Sequence, residues 1–192
     1  TREYMSDDQR FASWRTDVVT YQTDILKEDV TLAGPVIADL FVSISTTDAD
    51  FVVKLIDVFP DDFKYPASLD SLNPKSSIPN PKSVYPMGGY QMLVRGEVMR
   101  GKFRNSFETP EPFVPHKITQ VKFELPDVAH TFQKGHRIMV QVQNSWFPLV
   151  DRNPQQFVNI YKCDEKDFVK SSIKVYHDAK NSSLISLPIL KK

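Results

Sequence analysis

Few residues in this sequence could act as a catalytic base or nucleophile, and their spacing decides what chemistry is open to it. A serine nucleophile held on a strained strand-to-helix turn requires G-x-S-x-G. The residues two positions beyond Gly34, Gly88, Gly89, Gly96, Gly101 and Gly135 are Val36, Tyr90, Gln91, Val98, Phe103 and Arg137, so that motif is absent. A serine on another scaffold would still need a positioned base. Only His116, His130, His136 and His177 are available, and none has the setting of a triad. Cys163, the single cysteine, likewise has no histidine in a recognisable relation to it. Asp127, His130 and His136 could converge on a metal, and Asp48 and Asp50 could supply hard oxygens. Neither spacing matches a metal-binding motif, so the expectation is no catalytic residue, no metal and no cofactor. Thr46 to Asp50 reads as a polar turn closed by side-chain-to-backbone bonds.

The stretch KGHRIMVQVQNSWFPLVDRNPQ, beginning at Lys134, holds the clearest candidate for recognition. Ile138, Val140 and Val142 alternate with Gln141 and Gln143, as in a strand with one apolar and one polar face. The strand runs into the corner Trp146-Phe147-Pro148, and the turn Asp151-Arg152-Asn153-Pro154 follows. One reading makes the corner a plug at the end of a core. The other makes it an interface anchor, where large aromatics are enriched and Arg152 can pair bidentately with a carboxylate or with main-chain carbonyls. Burial of either aromatic stabilises by about 1.5–3 kcal/mol in both cases.

The elements that must position these residues are strands. Val36, Ala38, Leu40, Val42 and Ile44 share one face, as do Val121, Phe123 and Leu125, and Ile173 with Val175 and Ile185, Leu187 and Ile189 repeat the pattern. Phe51 to Phe59 is apolar on both faces apart from Lys54 and Asp57, which predicts a central strand covered on both sides and makes Asp57 a candidate buried carboxylate. Alternation slips near Gly101, where a β-bulge or bend is expected. From residue 60 to 90 the character changes: six of the 14 prolines (Pro60, Pro66, Pro74, Pro79, Pro81 and Pro86) fall there. Loops of this length are functional or disordered. Phe63, Tyr65, Tyr85 and Tyr90 favour a packed arm, docked on another body or folded onto its own sandwich.

Composition bounds the partners. Lys plus Arg and Asp plus Glu are 24 each, with a pI of about 6.8, so no global field draws nucleic acid or anionic lipid. No apolar run approaches the ~18 residues of a membrane helix, and no leader pattern opens the chain, so it is expected to be soluble. Thr1 in place of an initiating methionine implies that something upstream was removed. At 192 residues one undivided all-β domain, 1–192, is expected. The lone thiol leaves the compartment undetermined.

WRTDVVTYQTDIL from Trp14, STTDADFVVKLIDVFPDD from Ser45, LVRGEVMRGKFRNSF from Leu93, the opening segment and the run from Lys134 together resemble one family. It is the C-terminal domain of the cocaine esterase and X-prolyl dipeptidyl-peptidase-like hydrolases. MGGYQ, VMRGKFR and SWFPLVDRNPQ look most like the α-amino acid ester hydrolases and glutaryl cephalosporin acylases. The resemblance implies a jelly-roll β-sandwich, similar to galactose-binding domains, appended to an α/β-hydrolase core with a helical cap. It places the triad and oxyanion hole upstream, so no position here inherits a catalytic role. It also implies a periplasmic or secreted protein that self-associates.

The sequence therefore reads as the non-catalytic C-terminal sandwich of a serine hydrolase of ester or amide bonds. Its expected partners are the hydrolase and cap domains, which it contacts through Trp146, Phe147, Arg152 and Asn153 and, from the arm, Tyr85, Met87 and Tyr90. The competing reading is a stand-alone carbohydrate-binding module, since jelly rolls host sugar sites and fold does not dictate function. An independently active hydrolase is a third. The 192-residue chain alone should cleave an activated ester such as p-nitrophenyl acetate no faster than background; turnover that scales with protein concentration would contradict this reading.

Overall fold

The computed structural model describes residues 7–63 and 87–191. Tyr85 and most of the proline-rich excursion lie outside the described residues. Among the described residues a short helix, α1 (Arg10–Ser13), precedes eight strands: β1 (Val18–Gln22), β2 (Val30–Ile44), β3 (Asp50–Val58), β4 (Gln91–Arg100), β5 (Thr119–Phe132), β6 (Arg137–Gln143), β7 (Ile173–Tyr176) and β8 (Leu184–Ser186). They form the expected all-β sandwich. The front sheet has the order β1-β6-β3-β4 and the back sheet β5-β2-β7, with β8 also paired to β2. All of these pairings are antiparallel.

The core lies between the sheets and follows the alternation. Val36, Ala38, Leu40, Val42 and Ile44 of β2 and Val121, Phe123 and Leu125 of β5 face Phe51, Val53 and Leu55 of β3 and Ile138 and Val142 of β6. β2 and β5 pair from Val30 with Phe132 to Val42 with Thr119, with one register shift between Gly34 and Val36. Gly34 has φ +124°, a conformation that side chains with a Cβ disfavour.

β3 is covered on both faces, as its unbroken apolar run predicts. Residues from Asp50 to Asp57 are all buried, and Val52 and Ile56 are buried without belonging to the inter-sheet core. They point to the outer face of the front sheet. β6 departs from expectation. Its glutamine face is not solvated: Gln141 and Gln143 are both buried beneath the same covering layer. Of the two expectations for the slip near Gly101, a β-bulge or a bend, the structure shows the bend. β4 runs to Arg100, and its register shift lies opposite Leu55 and Ile56. Gly101 instead opens a 3-10 turn, where a Cβ would stand 2.4 Å from the carbonyl oxygen of Ala49 and 2.6 Å from Phe113 Cε2.

One polar node ties the two sheets together. Asp57, buried near the end of β3, meets His136 Nδ1 at 2.7 Å and, from the opposite sheet, His130 Nε2 at 2.9 Å. The His136 ring lies 4.6 Å from that of Phe59, which contacts Phe63 and Tyr90 at the root of the excursion. A carboxylate with two oxygens can accept from both imidazoles at once, so one side chain joins β3, β5 and the turn before β6. Asp57→Ala strands two histidine N–H groups. It should cost about 3 kcal/mol in urea unfolding, and a loss below about 1 kcal/mol would contradict the bridging role.

Candidate functional site

The corner after β6 is built on an internal support. Trp146 lies against β4 over Gly96, where a Cβ would stand 2.7 Å from Trp146 Cη2, so only glycine admits the ring there. The ammonium of Lys54, in the middle of β3, sits 4.5 Å from the indole and 5.6 Å from the ring of Phe11. It donates a hydrogen bond of 2.8 Å to Gln9 Oε1. Lys54 is completely buried, and burial first, then the positive Arg15, pulls its pKa from 10.5 to about 8. The indole thus forms part of the layer that covers the front sheet.

Beyond Trp146 the chain turns outward. Val150 N donates to Trp146 O at 3.1 Å, and the intervening Phe147 and Leu149 are 57% and 58% exposed. The Arg152 guanidinium lies 5.6 Å from the Phe147 ring and 5.0 Å from the Phe168 ring. Arg152 is exposed, and its guanidinium can present N–H donors to a planar acceptor. Phe147, Leu149 and Arg152 therefore form one preorganised patch, apolar with a directional donor.

The other expected contact residues go elsewhere. Asn153 turns inward, 5% exposed, with Nδ2 donating to Asp50 Oδ1 at 2.8 Å and Oδ1 accepting from Gln155 N. Met87 and Tyr90 stand just before β4, whose first residues pair with the end of β3, whereas Trp146 of the corner packs at the middle of β3 and Asn153 of the following turn reaches its start. Tyr90 Oη donates to Asp7 Oδ1 at 2.7 Å, which fastens the segment before α1 to the root of the excursion. Tyr85 lies outside the described residues.

The candidate metal groups resolve into internal bonds. His130 and His136 do converge, but on Asp57, while Asp127 is exposed. Asp48 Oδ2 lies 3.3 Å from the Lys102 ammonium, which also donates to Val158 O at 2.9 Å. Among the described residues no group of three or more His, Cys, Asp or Glu side chains is placed to hold a metal. Cys163 Sγ is 3.0 Å from Ile160 O, and His177 packs edge-on to Tyr21. Burial raises the pKa of Asp48, and it pushes Asp50 up to about 6 against the lowering effect of the Asn153 bond.

Lys54 is the residue that sequence reasoning passed over. Its signal was a register match: it pairs with Gln141 of β6, so two central strands place polar groups side by side on the outer face.

Comparison with known proteins accounts for a positioned surface without a reaction centre. Residues 4–186 match the family described as X-Pro dipeptidyl-peptidase C-terminal non-catalytic domain. The chain belongs to this family. It is 30% identical over 185 residues to the cocaine esterase of Rhodococcus sp. (strain MB1 Bresler), covering 96% of this chain and 28% of that protein. Among solved structures it is similar to an aminopeptidase from the marine sediment archaeon Thaumarchaeota archaeon, at 43% identity and TM-score 0.84, covering 98% of this chain and 28% of the other. It is also similar to an α-amino acid ester hydrolase, at 42% identity and TM-score 0.83, covering 97% and 28%. The chain spans little more than a quarter of each relative, and the stretch it matches is a non-catalytic C-terminal domain of X-Pro peptidase and cocaine-esterase type hydrolases.

Asp50 makes the stability of this domain pH-dependent. Its folded pKa, about 6, lies above the 3.8 of the unfolded chain, so its contribution is complete below 3.8 and is lost as pH rises through about 6. Asp50→Asn keeps an acceptor for Asn153 and removes the titration. Urea midpoints of the variant should gain on the parent by about 1–3 kcal/mol between about pH 4 and pH 7.5. Parallel pH profiles would contradict the assignment.

Proposed function

We propose that this domain is the docking module of a serine hydrolase that cleaves ester or amide bonds. In this reading it packs against the N-terminal α/β-hydrolase and cap domains and helps form one wall of the substrate cleft. The observation that carries the reading is the patch of Phe147, Leu149 and Arg152: two exposed apolar side chains beside a guanidinium that lies over the Phe147 ring, on a support locked by Trp146 and Gly96. Aromatic and arginine side chains of this kind are enriched among residues that dominate binding energy. Family membership and the 28% span of the relatives support a catalytic portion as the occupant. Asn153, next to Arg152 in the chain, ties this turn to β3 through its bond to Asp50.

The test uses the longer protein that carries the hydrolase portion. Phe147→Ser and Arg152→Ala should each weaken interdomain packing by about 1–2 kcal/mol, seen as a lower melting temperature and reduced turnover. The same substitutions in the 192-residue chain should change its stability by less than about 0.5 kcal/mol. Unchanged melting and turnover in the longer protein would overturn the proposal.

A further inference from the structure

The enclosed lysine under the corner has a role that the docking reading does not require. We infer that Lys54 is a positioning residue whose ammonium holds the Trp146 indole and the Gln9 side chain, and so sets the place of the Phe147–Leu149 corner. The consequence for docking rests on the reading proposed above; the coupling itself is internal to this chain.

The groups around Lys54 determine what it can do. α1 and the residue before it contribute Phe11 and Gln9, the corner contributes Trp146, β4 contributes Gly96, and β6 contributes Gln141 in register. The charged group that acts on it is Arg15, which repels it. Among the described residues no carboxylate lies within ion-pair distance of Lys54, so the cation is held by one amide oxygen and by π faces. Its folded pKa, about 8, lies below the unfolded 10.5. The linkage sign is therefore unfavourable at neutral pH: the stabilising contribution is complete above 10.5 and is lost as pH falls through about 8.

A methionine of similar length would fill the slot without that cost, as apolar replacements of buried ions commonly do. What methionine lacks is direction. The ammonium attracts the face of the indole and fixes the amide of Gln9, while bare Gly96 admits the Cη2–Cζ3 edge of the ring against β4. Lys54 thus links the segment that carries α1 to the corner through one atom, Nζ. Loss of its proton weakens the hold on the ring without removing any side chain.

The chain has two tryptophans, and Trp14 is 87% exposed, so Trp14→Phe leaves Trp146 as the sole tryptophan, which can be excited selectively over the tyrosines. In that background, acrylamide quenching of Trp146 should rise between about pH 7 and 9.5 with a midpoint near 8. Adding Lys54→Met should make quenching pH-independent and about two- to fivefold stronger at about pH 7, the equivalent of one lost cation–π contact. Melting at neutral pH should be no lower than in the parent. The inference is overturned if quenching at neutral pH is unchanged by Lys54→Met, or if the pH dependence persists in that variant. Should Lys54→Met not fold, the titration of the Trp14→Phe chain decides alone, and a flat profile overturns the inference. Either result leaves the docking test at Phe147 and Arg152 independent, because those variants retain Lys54.

Discussion

The structure depends on covering a sheet face that antiparallel sandwiches usually leave to water. Val52 and Ile56 project from the front sheet away from the inter-sheet core and are nonetheless fully buried. Each gains about 1.5–3 kcal/mol from burial, so the chain must supply a further layer over them. It does so with the segment around α1 and with Trp146. The corner that carries the exposed Phe147 and Leu149 is therefore also part of the fold, which explains why Trp146 points in while Phe147 and Leu149 point out.

Two polar nodes fix the ends of the sandwich. At one, Asp57 gathers His130 from the back sheet and His136 from the turn before β6, next to the aromatic rings at the root of the excursion. At the other, Asp48 and Asp50 engage Lys102 and Asn153, which join the turn after β4 and the turn after the corner to the start of β3. Both nodes are assembled from groups that could also bind metals or shuttle protons. Here Asp57, Asp48 and Asp50 each lie against a donor or cation from a different segment, and so tie those segments together.

Much of this was legible in the sequence because period-two alternation maps directly onto burial. Val36 to Ile44 and Val121 to Leu125 face the core as their spacing predicts, and the doubly apolar run from Phe51 marked β3 as central. Gln141 and Gln143 misled because polarity was equated with exposure, whereas the face they share with Lys54 is roofed by residues distant in sequence. At Gly101 the broken alternation left a bulge and a bend both open, and only the close approach of Ala49 and Phe113 at the turn, which neighbouring residues do not reveal, separates them. At the surface, the grouping of Phe147 and Arg152 was readable from their closeness in the chain, but the contribution of Phe168 was not. Asn153 sits beside Arg152 in a polar turn and nothing local marks it as buried. It turns inward because the enclosed carboxylate of Asp50, far away in sequence, takes its amide as a donor.

The domain thus displays a small apolar and guanidinium patch, which in the proposed function a catalytic portion covers. Amide hydrogen exchange tests this directly, comparing the 192-residue chain with the same segment in a longer protein that carries the proposed hydrolase portion. The account predicts slower exchange across residues 147–152 in the longer protein and little change along β2 and β5, which are already in the core. Equal exchange across 147–152 in both contexts, with the longer protein folded and active, would contradict it.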